Sequence, residues 1–325
     1  MKKLDLKDRK ILYQLDLNCR QSNTHIGRKV GLSKEVVNYR IKRMRDIGII
    51  NGFWTAINSL KLGYYACRIY INFLDVSSDV KNEIIRYFKN YKNVWTLHSA
   101  KGPVDLEVVL WVDDIYNFNQ FWNKTLDRYG NHFEKYEVSI LTQVTCLKKS
   151  YLIVDDYEKS DREFYTINCS GNPVTIDELD YQILNEIATN ARIPLVELAE
   201  KFNNSSQTIN YKIKNLMKKG ILLAFRVGID SSKLGLRNCM IDIYLKDHTK
   251  GTQIEDYVKG NPYVENIMDM TIGWCDLNFE LMVKNIDSLT QIIEDIDNRF
   301  PGVIRKTNFW ISRKVHKERW LPELY

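Results

Sequence analysis

Glycine and proline are scarce in these 325 residues, 15 and 6 respectively. That excludes collagen-like and loop-rich architectures and favours long regular elements. The six cysteines, at 19, 67, 146, 169, 239 and 275, stand far apart with no C-x-x-C, and the five histidines are equally scattered. Neither a disulfide framework nor a zinc ribbon is suggested. No apolar run approaches the roughly 20 residues a membrane-spanning helix needs. Charge appears at once in Met1-Lys2-Lys3-Leu4-Asp5, where a secretory leader would be apolar. The expectation is a cytoplasmic protein with no membrane partner, no metal and no cofactor. What is present is ordinary for globular chains, 44% hydrophobic and 27% charged, which excludes disorder. At about 100–200 residues per domain the length predicts two domains or more.

The chain repeats itself. At an offset of 172 residues, Asp8-Arg-Lys-Ile-Leu falls on Asp180-Tyr-Gln-Ile-Leu, and Asn38-Tyr39-Arg40-Ile41-Lys42 falls on Asn210-Tyr211-Lys212-Ile213-Lys214. Lys61-Leu-Gly likewise meets Lys233-Leu-Gly; after a one-residue deletion, Gly102-x-x-Asp105 meets Gly273-x-x-Asp276. A period this long marks duplication of a whole two-part unit. The expected boundaries are 1–63, 64–152, a charged linker at 153–173, then 174–235 and 236–325.

The first part of each unit reads as three helices. Asp5 and Asp177 begin the first, each with an acid three residues on, like a capping box. A second follows at Thr24 to Val30, and at Pro194 to Phe202 with proline in the first turn. A tight break then leads to Ser33 and Ser205, the expected N-caps of a third helix. In that helix Val37, Ile41 and Met44, matched by Ile209, Ile213 and Leu216, recur at helical spacing and should bury. The rest of its surface is rich in donors able to reach phosphates and base edges. Helix, short turn and basic helix make a helix-turn-helix, and Gly48-Ile-Ile and Gly220-Ile-Leu lead into an apolar strand, as in winged variants. A lone basic face is usually only solvated, but this one recurs behind the same turn in both copies. Residues 1–63 hold 14 Lys and Arg against 5 Asp and Glu, whereas 174–235 hold 8 against 7. The first copy should therefore bind DNA more strongly.

The second part changes to a period of two. Cys67, Ile69, Ile71 and Phe73 alternate with polar neighbours, as do Cys239, Ile241, Ile243 and Leu245, so both cysteines read as core residues. The predicted order β-α-β-β-α-β gives an antiparallel sheet with helices on one face. Its other face needs cover, which a sheet from a second copy could supply. The fold class is α+β: two copies of a winged helix-turn-helix followed by a ferredoxin-like βαββαβ domain.

Taken together, Asp5-x-x-Asp8-x-x-Ile-Leu, Leu32-Ser-x-x-x-Val-x-x-Arg40-Ile-Lys, Gly48-Ile-Ile, Lys61-Leu-Gly and Gly102-x-x-Asp105 resemble the Lrp/AsnC family of transcription regulators. Family members are usually one unit long, so the tandem form departs from the pattern. The resemblance implies sequence-specific binding to double-stranded DNA, modulated by an amino acid or other small metabolite. It also implies self-association through the ferredoxin-like domains, within one chain or in a homodimer. DNA-reading positions carried over are Ser33, Lys34, Asn38, Tyr39, Lys42 and Arg43, with Ser205, Ser206, Gln207, Asn210, Tyr211 and Lys214. The implied effector loop comprises Gly102 and Asp105, and Thr271, Gly273 and Asp276. A plainer reading of the loop is a hairpin glycine and its capping aspartate, and Pro103 after Gly102 sets the first copy apart. Two rival functions use the same parts. One is a decarboxylase resembling the sirohaem enzymes, although their Trp-Pro-Tyr-Asn-Leu-like run is missing around His98. The other is a metabolite sensor whose helix-turn-helices no longer bind DNA.

Overall fold

The computed structural model describes residues 4–154, 162–168 and 172–323. The first head comprises α1 (Leu6–Leu17), α2 (Asn23–Val30), α3 (Lys34–Asp46) and strand β1 (Ile50–Ile57). A four-stranded unit follows: β2 (Tyr65–Phe73), α4 (Ser78–Asn90), β3 (Val94–Lys101), β4 (Leu106–Val112), α5 (Ile115–Tyr129) and β5 (Phe133–Leu147). After β6 (Glu163–Asn168) the second head holds α6 (Glu178–Thr189), α7 (Leu195–Lys201), α8 (Ser206–Lys218) and β7 (Leu222–Ile229). The second sheet unit is β8 (Arg237–Leu245), α9 (Gly251–Lys259), β9 (Val264–Ile272), β10 (Leu277–Val283), α10 (Ile286–Arg299) and β11 (Ile304–Glu318).

Local chemistry sets the helix starts. Asp5 and Asp177 each close a capping box with Asp8 and Asp180, satisfying amides at the positive helix end. Ser33 and Ser205 cap α3 and α8 by accepting from the amides of Val36 and Thr208. Pro194 stands at the N-cap of α7 rather than in its first turn. Its ring has no amide to leave orphaned there.

The expected linker, 153–173, lies partly outside the described residues, and its 163–168 stretch is a strand on β5. Tyr165 and Ile167 are buried while Glu163 is exposed, an alternation that the preceding charge run hides. The β1 strand does not form a hairpin within its own head. It pairs antiparallel with β7 of the other head, and Trp54 faces Arg226, its own counterpart at the repeat offset. The pseudo-two-fold axis therefore runs through that pair.

Each sheet unit has the expected four-stranded order, β5-β2-β4-β3 and β11-β8-β10-β9. One face carries Cys67, Ile69 and Ile71 against α4 and α5, and Cys239, Ile241 and Ile243 pack beneath α9 and α10. The five cysteines among the described residues are all buried and unpaired. The other faces meet each other within the same chain. The 15-residue strands β5 and β11 cross from one sheet to the next, β5 onto β9 and β11 onto β3, and so close an eight-stranded antiparallel ring. Closure removes the edges along which such sheets would otherwise pair with other chains.

The ring interior is packed with Tyr70, Trp95, Trp111, Met240 and Trp310, and it also holds charge. Arg68, 2% exposed, pairs with Glu107 and donates to Asn278 Oδ1 at 3.0 Å. Asn278 Nδ2 donates to Asp242 at 2.6 Å, and Trp274 Nε1 donates to the same carboxylate at 2.6 Å. Burial pushes Asp242 up to about 6, opposed by the Trp274 hydrogen bond and the Arg68 charge. The chain's last turns strap ring to heads: Trp320 stacks on Trp54 at 4.8 Å, and Ser59 Oγ donates to the Trp320 carbonyl at 2.9 Å.

Candidate nucleic-acid interface and effector pocket

On α3 the buried residues are Val37, Ile41 and Met44, and on α8 Ile209, Ile213 and Leu216, as the helical spacing requires. The opposite faces stand open. Lys34, Asn38, Tyr39 and Lys42 are exposed, as are Gln207, Tyr211 and Lys214 in the second head; Ser206 and Asn210 are half-buried. Tyr39 and Tyr211, 66% and 67% exposed, have no structural use for their rings there. Ser33 and Ser205 are exposed too, with their oxygens committed to capping. An exposed helix face of amides, phenols and lysines behind a tight turn can dock in a major groove and hold phosphates.

Arg43 does not join that face. Its guanidinium binds Asp8, which is 1% exposed, and Arg40 Nη1 holds Asp8 at 2.8 Å and Asp5 at 2.7 Å. Lys212 makes the matching contacts to Asp177 and Asp180 in the second head. Arg40 and Lys212 thus tie the third helix to the first capping box, a role the repeat motif carries without revealing. Once its burial is seen, Asp8 calls for such partners, since a buried carboxylate must be paired. Arg43→Ala is expected to lower folding stability by about 1 kcal/mol through this hydrogen bond, whereas Lys42→Ala leaves stability unchanged. Denaturant melts of the two variants check this.

A second link escaped the sequence altogether. Asn23 Nδ2 donates to Asn38 Oδ1, and Arg192 of the second head donates through Nη2 to Asn23 Oδ1 at 3.2 Å.

The loops expected to bind an effector lie where the two sheet units meet. Gly102 has φ +135° and Gly273 φ +122°, and each lies against the last strand of the other unit. A Cβ on Gly102 would come within 3.1 Å of the Phe309 carbonyl, and one on Gly273 within 2.7 Å of Val138 O. Asp105 and Asp276 accept from the amides of Phe73 and Leu245 at 3.0 and 2.7 Å, so both carboxylates brace the hairpins. A cavity of about 500 Å³ opens at this pseudo-symmetric junction. Gly273 and Asp276 border it, with Lys135, Glu137, Arg305 and Lys306; Gly102 and Asp105 do not, although Pro103 does. Thr271 lies outside the residues whose side chains are described. His98, on which a decarboxylase reading would draw, is buried, with Ser312 Oγ 3.2 Å and Glu107 3.6 Å from Nδ1. Among the described residues no group of three or more His, Cys, Asp or Glu side chains could hold a metal, and no helix is long and apolar enough to cross a membrane.

Comparison with known proteins agrees with this geometry. The family model for winged helix-turn-helix DNA-binding domains matches twice, at residues 4–51 and 176–222. The HTH-type transcriptional regulator Ptr1 of Methanocaldococcus jannaschii is 32% identical over 36% of the chain and 78% of its own length. The regulatory protein AsnC of Escherichia coli is 28% identical over 36% of the chain and 78% of its length. Among solved structures the siroheme decarboxylase NirDL superposes with a TM-score of 0.64, covering 96% of this chain and 92% of its own. At 15% identity that likeness is one of fold.

Proposed function

The chain belongs to the Lrp/AsnC family of transcription regulators and is a DNA-binding regulator of that type, and from this we propose that a single chain is the complete two-headed reading unit. The carrying observation is that both pairings a dimer would make between chains, β1 with β7 and the closed ring of sheets, occur here within one chain. In this reading Ser33, Lys34, Asn38, Tyr39 and Lys42 enter one groove, and Ser205, Ser206, Gln207, Asn210, Tyr211 and Lys214 the next. Arg43 acts only by holding Asp8.

Two identical subunits read two identical half-sites. These heads differ at Lys34 against Ser206 and at Glu35 against Gln207. Selection of bound fragments from genomic DNA is therefore expected to yield a site with two unlike halves. Recovery of a perfect inverted repeat as the preferred site would overturn the reading.

The cavity at the sheet junction is the natural effector pocket, since its size suits a small metabolite. It draws on both units, including Lys135 with its repeat counterpart Lys306 and Glu137 with its counterpart Asn308, so a bound metabolite would bridge the halves of the ring. Its mixed charges suit a ligand carrying both a carboxylate and an amino group.

A further inference from the structure

The cleft beside α3 is not built by the first head alone. Asn23, Asn38, Ile41, Lys42, Arg45 and Asp46 line a space of about 620 Å³, and Arg192 of the second unit completes it. Arg192 lies in the turn between α6 and α7, stacks on Phe53 of β1 at 5.1 Å and donates to Asn23. Its position is therefore fixed from two sides before any ligand arrives. Lys42 and Arg45 are exposed and form no ion pair among the described residues. Three cations thus share the cleft with one carboxylate, Asp46. Burial first, and the neighbouring charge of Arg45 among the lesser causes, draw the Arg192 guanidinium below its ordinary value. An anion placed among these groups relieves their mutual repulsion.

We propose that this cleft is a phosphodiester site, in which a DNA backbone phosphate is held by Lys42, Arg45 and Arg192, so that the second unit anchors the first unit's reading helix. The cleft adjoins the exposed face of α3, so a duplex docked there brings its backbone to the cleft.

The second head builds the equivalent place from different residues, with Lys214 where the first has Lys42 but Lys218 in place of Asp46. The counterparts of Asn23 and Arg45 are Leu195 and Met217. Arg20, the counterpart of Arg192, stacks on Phe225 at 5.3 Å but gives Nη1 to the Ala191 carbonyl at 2.8 Å. The two arginines therefore share one structural contact and differ in what they face, which makes Arg20 an internal control.

The test is binding of the full chain to a mixed-sequence DNA duplex across a salt series, since phosphate contacts need no operator. Each phosphate contact steepens the dependence of log affinity on log salt by about 0.9. Arg192→Gln is expected to weaken binding several-fold, equally for unrelated sequences, and to flatten the slope by about 0.9. Arg192→Lys should restore the slope, and Arg20→Gln should leave it unchanged although its melting temperature falls like that of Arg192→Gln. Arg45→Met copies the second head at an exposed position without risk to folding, and it should flatten the slope in the same way. An unchanged slope in Arg192→Gln or Arg45→Met, or an equal loss in Arg20→Gln, would overturn the assignment.

Discussion

Arg226→Met is expected to destabilise the chain by about 3–5 kcal/mol, the range for breaking a buried ion pair by removing one partner. Arg226 is 2% exposed and Asp16 is fully buried. The guanidinium reaches Asp16 through Nε at 2.8 Å and Nη2 at 2.9 Å, and Nη1 donates to the Tyr165 hydroxyl at 3.1 Å. Among the described residues, removing the arginine leaves Asp16 with only the Lys149 amide, 3.3 Å away, in a buried place. The same site shows what covalent fusion permits. On a true two-fold axis position 226 would face an identical residue, and two arginines there would repel. Here Arg226 faces Trp54, with the guanidinium 5.7 Å from the ring centroid. A denaturant melt of Arg226→Met and of the double variant Asp16→Leu/Arg226→Met separates charge from packing. The double variant should recover most of the loss, because replacing both charges by apolar groups is often near neutral. Equal losses in single and double variants would mean that shape, not the stranded carboxylate, carries the effect.

The parts written in local periodicity are legible in the sequence itself. The capping boxes at Asp5 and Asp177, the serine caps and the alternation of β2 and β8 depend on residues a few positions apart, so the sequence displays them directly. Pairing across the repeat is different. The last strands could be read only to Ile140 and Ile311, where each leaves its own sheet. Beyond those points β5, as far as Cys146, and β11, as far as Glu318, find partners in the other unit, and nothing in their alternation names that partner. The β1–β7 pair hides in the same way behind an apolar stretch that suits a wing equally well. The interface followed the same division. Lys34, Asn38, Tyr39 and Lys42 follow from helical spacing, whereas Arg43 is drawn off by an aspartate 35 residues earlier and Arg192 reaches an asparagine 169 residues earlier. Side-chain contacts of that span depend on tertiary packing, which no pattern within one helix encodes.

Replacing the first reading face with alanine at Asn38, Tyr39 and Lys42 is expected to lower affinity for a selected operator by 100-fold or more. A good base-edge contact contributes about 1–3 kcal/mol of discrimination and each phosphate contact adds its salt-dependent share. Asn38 and Tyr39 are placed to supply the first and Lys42 the second. All three are exposed, so the fold should survive with its melting temperature little changed. The equivalent triple variant, at Asn210, Tyr211 and Lys214, is expected to cost only about 10-fold by the same reckoning. Its head sits in a stretch with a net charge of only +1, against +9 for the first, and it has Met217 and Leu195 where the first head has Arg45 and Asn23. Weaker attraction to the backbone leaves its base contacts less time and less fixed geometry in which to act. Gel shifts of both variants on one operator decide the order of the heads. A larger loss in the second-head variant would mean that charge does not rank them, and that contacts made by Asn210 or Tyr211 outweigh the phosphate anchoring of the first.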